Sequence, residues 1–456
     1  MSPLAVDAAL YGLSALFAAL TVLGSRSSDY RAWGKEAVVP YALVGLVSAF
    51  VAWRAHVAPI APVLIRWVRR LGVGVLLLGA VVVPLVVQVT LRAQARPGAH
   101  AQPEVAVIER AGDRVAQNKD PYLAQPTTVG TAPSSDAKTV DSSAFFPYLP
   151  GMIPFGLVNT IAAPPELTDA RVAFASFTLV VAAAALALSG ASAGRRGRAF
   201  QFLVVLPSGA LPMVTGGDDL PVLALMLLGL VLAARRRPVL GGIALGLGAT
   251  LKLTAWPLAL MLALVVADRN ERRASLRYAL AALVVSLPVL ALGIAPGPKA
   301  FVENVIRFPL GLAHVRSPAA SPLLGQVLVH AFPRERRPIT VVLALAGAAL
   351  LLAIYRRYRP RTPAAIARFV AAGLVIATVL APATRFGYLI YPVNLLVWAY
   401  VLDEVERRRA RRDEGQLAES TTNSRMSSEL VGLAASPASA GLSAGVRGST
   451  VTPTSQ

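Results

Sequence analysis

The sequence predicts an all-α, polytopic integral membrane protein, and three observations predict it. Of its 456 residues, 55% are hydrophobic and 15% charged, with a mean hydropathy of +0.60. Soluble domains are about 45–50% apolar and about 25% charged. Apolar stretches of spanning length, roughly 17–25 residues, recur along the chain. Between them the bases are clustered: five short stretches carry +16 of the +20 net charge, as cytoplasmic loops do under the positive-inside rule. The charge is therefore a topology signal, and no nucleic-acid partner is expected. Cysteine is absent and the four histidines are widely spaced, so no disulfide framework or thiolate metal site is expected.

In chain order, spans are expected near 8–24, 37–54, 72–92, 170–190, 199–215, 219–234, 278–294, 339–355, 364–381 and 386–402. The N-terminus has no basic n-region and is followed by further spans, so no cleavable signal is expected. The stretch 238–267 differs. It lies between Arg235-Arg236-Arg237 and the bases at 269–277, both cytoplasmic by the same rule. One helix cannot start and end on one side, and 30 residues are too few for two full spans of about 20. A broken helical hairpin, turning near Thr250-Leu251-Lys252-Leu253-Thr254, satisfies both limits.

Both termini are then cytoplasmic, and 93–169 is an extracytoplasmic first-loop subdomain. A short re-entrant helix is expected at 320–332. Three bases, Arg334, Arg336 and Arg337, fall on the outer side, where long loops are less bound by the charge rule. The expected organisation is two accessory N-terminal spans (1–71), a membrane core (72–402) and a disordered cytoplasmic tail (403–456).

The first loop begins with Val105, Ile108, Ala111 and Val115 on one helical stripe, as in an amphipathic helix lying on a membrane. Ionisable residues near a membrane are costly and mark functional sites. The topology gathers several on the outer side: Glu104 and Glu109 in the first loop, Asp218 and Asp219 between two spans, and Lys252 at the hairpin tip. Arg307, His314 and Arg385 join them from later loops. Each has a plainer reading. The glutamates could face solvent, the Asp218-Asp219 pair could cap a helix, and Lys252 could snorkel. Arg385 could anchor a headgroup, and His314 could be structural.

The runs Pro103–Ala111, Asp120-Pro121-Tyr122 and Phe146-Pro147-Tyr148-Leu149-Pro150-Gly151 resemble the first outer loop of GT-C glycosyltransferases. The likeness is greatest to the family 87 polyprenol-phosphate-mannose-dependent α-mannosyltransferases. Thr215–Pro221, Gly246–Pro257 and Leu380–Tyr388 resemble a high-GC bacterial branch of that family. The sequence departs from the pattern in having Glu104 where the family acid is usually Asp, and an aliphatic residue near 107–108 where an aromatic is usual.

The resemblance implies a GT-C-like bundle in the plasma membrane with its active site on the extracytoplasmic face. It also implies transfer of a sugar, mannose first, from a polyprenyl-phosphate donor to a glycolipid or glycan acceptor, with inversion. Such chemistry needs a base for the acceptor hydroxyl and cations for the departing phosphate. Glu104 is the first candidate base and Glu109 the reserve, although five residues place it about 500° round a helix, on another face. Lys252, Arg385 and Arg307 are the candidate phosphate ligands. Asp218, Asp219, Tyr148 and His314 are the candidate sugar or acceptor contacts. A lipid-linked sugar is the expected co-substrate, and a divalent metal stays open. Three alternatives compete: a pentose (arabinose-like) transferase, a sugar or lipid transporter, and a scaffold of envelope assembly.

Overall fold

The computed structural model describes residues 2–95, 99–123, 144–267, 272–310, 313 and 319–434. Every regular element among them is helical; an isolated bridge joins Ala320 and Thr384. Among the described residues, nine helices are long and apolar enough to cross a membrane. The chain is a multi-pass membrane protein.

The first two helices, α1 (Pro3–Gly24) and α2 (Ser28–Val57), form a hairpin. Next comes α3 (Pro62–Gln94), widened by a π-turn at Leu78–Val82. The π-turn precedes Pro84, which has no N–H to offer the Ala80 carbonyl four residues back. That carbonyl instead accepts from the Trp33 indole of α2 at 2.9 Å. A second irregularity lies in Ala193–Thr215, where Leu206 is extended (ψ 159°) before Pro207, as the residue before proline prefers. Here the Tyr41 hydroxyl of α2 donates to the neighbouring Val205 carbonyl. Asp7 of α1 pairs with Arg69 at 2.5 Å and Arg198 at 2.8 Å. The hairpin that the sequence sets aside as accessory thus satisfies polar groups inside the bundle. Packing shows no boundary at 71, and one compact unit runs from Met1 to Val405.

The amphipathic stripe forms α4 (Pro103–Ala116). Val105, Ile108 and Ala111 are buried against protein rather than lying on lipid. A Cβ added at Gly112 would meet the Gly156 carbonyl carbon at 2.2 Å, and one at Gly156 would meet the Ile108 oxygen at 2.0 Å. Only paired glycines allow this approach.

Next come α5 (Ala170–Ser189), α6 (Ala193–Thr215) and α7 (Asp219–Ala234). Nearly every residue of α7 is buried, which explains why it is apolar on all faces. Sixteen residues at 1.5 Å each give about 24 Å, so α7 is a short strut enclosed by longer helices.

The broken hairpin is as expected. It consists of α8 (Pro238–Leu251) and α9 (Trp256–Ala267), separated by extended Lys252 (φ −148°, ψ 151°) and a turn at Leu253–Ala255. The following helix, α10 (Arg272–Ile294), reveals their directions. Gly242 of α8 abuts Tyr278 and Gly246 abuts Ala282, so these two run parallel. Ser275 donates to the Ala263 carbonyl and Tyr278 to the Ala259 carbonyl, so α9 runs antiparallel and the chain reverses at Lys252.

The remaining helices are α11 (Leu324–Ala331), within the expected re-entrant stretch, α12 (Arg336–Tyr358), α13 (Pro363–Leu380) and α14 (Ile390–Ala434). Helix α14 corrects the expectation of disorder from 403. The segment after the span is rich in Glu and Arg, good helix formers, and it continues the helix to Ala434. The second compact unit begins at Glu406. The part of the expected tail at 435–456 lies outside the described residues.

Candidate functional site

Six of the sequence-selected residues, Tyr148 among them, converge at one end of the bundle. Helix α7 starts at Asp219, with Asp218 in the capping position, yet neither side chain caps the helix. Both turn to Lys252 instead: Nζ lies 2.7 Å from Asp218 Oδ2 and 2.5 Å from Asp219 Oδ1. Nor does Lys252 snorkel, since its side chain is only 13% exposed. The ammonium also sits over the Tyr148 ring, 5.0 Å from the centroid, in cation–π range. Tyr391 of α14 donates its hydroxyl to Asp219 Oδ1 at 2.7 Å. A buried cation held by two carboxylates over one tyrosine ring follows from breaking the hairpin at Lys252.

Tyr148 is held at the hairpin tip by the residues that follow it. The Leu149 amide donates to the Leu251 carbonyl at 3.1 Å, and a Cβ on Gly151 would strike Thr250. Burial, then the negative charges of Asp218 and Glu104, push the Tyr148 phenol well above its ordinary value. It stays a hydrogen-bond donor, and it connects the lysine cluster to the second pair of the site.

That pair is Glu104 with Arg385. Glu104 lies in the first turn of α4, and Arg385 precedes the short turn Phe386–Leu389 that leads into α14. The two side chains form an ion pair. Burial favours the neutral guanidine, but Glu104 outweighs it and raises the Arg385 pKa. The pair lines a cavity of about 370 Å³ whose other wall is the turn between α1 and α2. Gln102, also in the lining, donates to the Tyr30 hydroxyl at 2.6 Å and to Thr215 Oγ1 at 3.1 Å.

Two sequence candidates fall elsewhere. Glu109 points to another face of α4, as its spacing implied. It takes a bidentate contact from Arg92 at 2.8 and 2.5 Å. Arg92 also reaches Asp169 at 2.7 Å, and Asp169 is held by Arg171 at 2.9 and 2.8 Å. Burial works to raise the Asp169 pKa, but hydrogen bonds and charge from Arg171, then Arg92, hold it below the ordinary aspartate value. The place of Glu109 is in this buried network, which seats α4. Arg307 pairs with Glu303 one turn away at 3.3 Å. His314 lies outside the described residues.

Sequence reading missed Tyr30, Gln102 and Tyr391. Tyr391 follows Arg385 by six residues, inside an apolar run that hides it. Tyr30 and Gln102 are themselves uncharged, and the charges around them drew attention to other residues. Among the described residues, no three His, Cys, Asp or Glu side chains converge as a metal cage.

Comparisons with known proteins bear on this arrangement. No curated protein matches the chain. Two solved structures of ArnT from Cupriavidus metallidurans are similar to it. The apo form matches at 15% identity and TM-score 0.40, over 72% of this chain and 60% of that one. The form bound to undecaprenyl phosphate matches at 18% identity and TM-score 0.43, over 78% of this chain and 65% of that one. The chain thus spans less than two thirds of the length of these structures. The model for glycosyltransferase family 87 matches residues 148–382, just over half of the chain. This match covers the aspartate pair, the broken hairpin and Tyr148, and stops just short of Arg385. The chain belongs to glycosyltransferase family 87.

Proposed function

We propose that the protein transfers a sugar, mannose first among candidates, from a polyprenyl-phosphate donor to a hydroxyl of a glycan or glycolipid on the extracytoplasmic side. Family membership supports glycosyl transfer. The observation that carries the rest is the Glu104–Arg385 pair in an open cavity, beside the buried Lys252–Asp218–Asp219 cluster.

Each group has one task in this reading. The donor phosphate competes with Glu104 for Arg385, whose planar guanidinium suits phosphate oxygens. Once released, the Glu104 carboxylate accepts the proton of the acceptor hydroxyl. The oxygen attacks the anomeric carbon from the face opposite the phosphate, the new C–O bond forms, and the bond from the anomeric carbon to the phosphate oxygen breaks. Polyprenyl phosphate leaves with the electron pair. Its charge is met by Arg385 and by Lys252, which the aspartates hold in place. A β-linked donor gives an α-linked product. Asp218, Asp219 and the Tyr148 and Tyr391 phenols surround the reaction centre and provide contacts for sugar hydroxyls.

The test uses full-length protein in lipid nanodiscs with a panel of polyprenyl-phosphate sugars, mannose and arabinose included, and alkyl glycoside acceptors. Transfer from one donor, abolished by Glu104→Gln with donor binding retained, is the expected result. Normal turnover of Glu104→Gln would remove the base from the scheme. Donor binding with no transfer to any acceptor would favour a transporter or scaffold.

A further inference from the structure

We infer that the turn between α1 and α2 forms the acceptor subsite, and that its ligand is the uncharged, hydroxyl-rich end of a saccharide. This inference rests on the transferase reading above and adds the place and chemistry of the second substrate.

The cavity beside Glu104 has two walls. Gln102, Pro103, Glu104 and Arg385 form one; Ser25, Arg26, Ser27, Asp29 and Tyr30 form the other. The second wall, like the first, lies outside residues 148–382, the stretch shared with the family. It is nevertheless firmly seated. Arg31 donates to the Ser25 carbonyl at 2.7 Å, Gln88 to the Asp29 carbonyl at 3.2 Å, and Gln102 to the Tyr30 hydroxyl at 2.6 Å.

The lining decides the ligand class. The wall from the α1–α2 turn carries one cation, Arg26, and one anion, Asp29, so it offers a charged ligand no net attraction. Hydroxyls of Ser25, Ser27 and Tyr30 and the Gln102 amide supply donors and acceptors, the inventory that sugar hydroxyls use. No large aliphatic side chain lines the cavity, so a polyprenyl chain has no apolar bed there. About 370 Å³ is at the low end of ligand pockets, roughly 300–1,000 Å³, which suits a short saccharide end. The wall is reachable: Arg26 is exposed and Arg385 is partly so.

The test is photolabelling of the full-length protein in nanodiscs with an octyl α-mannoside carrying a small diazirine on the sugar, mapped by peptide mass. The expected result is labelling of the 25–30 peptide, competed by plain octyl mannoside but not by octyl sulfate. Arg26→Trp and Ser27→Tyr narrow the cavity from separate positions and should each cut that labelling at least tenfold while melting as wild type does. No labelling at 25–30, labelling that ignores both substitutions, or competition by octyl sulfate would overturn the subsite. Labelling at 25–30 in a protein that transfers no sugar would retain the saccharide site and sink the transferase reading. Transfer without labelling at 25–30 would do the reverse.

Discussion

Glu104 and Arg385 are 281 positions apart in sequence and form an ion pair at the cavity wall. If the pair is a resting state that phosphate opens, its members fail differently. Glu104→Gln should lower kcat by about 10²–10⁴, the range for removing a general base, with the donor Kd nearly unchanged. Arg385→Ala should weaken donor binding at least tenfold and leave Glu104 free. Separate measurements of donor binding and single-turnover transfer check both; equal losses in both quantities for both variants would contradict the division of roles.

Lys252 neutralises two carboxylates at once. Lys252→Met leaves Asp218 and Asp219 side by side without a counter-charge, and breaking a buried pair in this way costs about 3–5 kcal/mol. The melting temperature in nanodiscs should fall clearly. Adding Asp218→Asn to Lys252→Met should recover part of the loss. A double variant less stable than the single one would show that charge repulsion is not the cause.

Glu109 belongs to the seat of α4. Glu109→Gln should lower stability and lower transfer only to the extent that protein is lost, with acceptor and donor KM unchanged in the folded fraction. Abolished turnover at wild-type melting temperature would return Glu109 to the reaction.

Acid should act through Asp169. Its folded pKa is depressed below 3.8, held down by Arg171 and Arg92. The stabilisation is therefore complete above the unfolded value and is lost as pH falls through the lowered folded value. Thermal melts between neutral pH and pH 3 should show a decline at the acid end that Asp169→Asn lacks, the variant being less stable at neutral pH. Parallel acid curves for the two proteins would assign the decline to other groups.

The glycine pair under α4 is a steric matter. Gly156→Ala puts a methyl against the Ile108 carbonyl, and overpacking costs about 1–3 kcal/mol. Because α4 carries Glu104, transfer should fall with stability. Proteolysis within 103–116 should quicken; unchanged cleavage would mean the helices shift apart without loss.

Much of this was legible in the sequence. All ten expected spans are helices, because uninterrupted apolar runs have few other solutions in lipid. The break at Lys252 was legible from the bases flanking 238–267. The 3.6-residue period put Val105, Ile108 and Ala111 on one face, but period alone does not say whether that face meets lipid or protein, and Gly156 decided it. The pairing of Glu104 with Arg385 could be narrowed to one side of the membrane and no further, since no local pattern links residues so distant. The contribution of α2 was hidden because Trp33 and Tyr41 look like ordinary apolar residues until proline-broken neighbours expose carbonyls for them. The helix beyond 403 was missed because a Ser/Ala/Thr/Gly-rich tail without apolar periodicity reads as disorder, while the Glu- and Arg-rich run that opens it favours helix.

The shortness of α7 has a consequence for the surrounding lipid. Arg235 to Arg237 fix one end of this helix at a headgroup layer. Measured from there, about 24 Å of helix leaves Asp218, Asp219 and Lys252 roughly 6 Å below the far surface of a hydrocarbon core about 30 Å thick. In the proposed reaction a carrier phosphate would have to sink to that level, or the bilayer thin to meet it, so hydrophobic mismatch would become a variable of that reaction. Sugar transfer measured across phosphatidylcholines of increasing acyl length should be fastest in the thinner bilayers and slow as the membrane thickens.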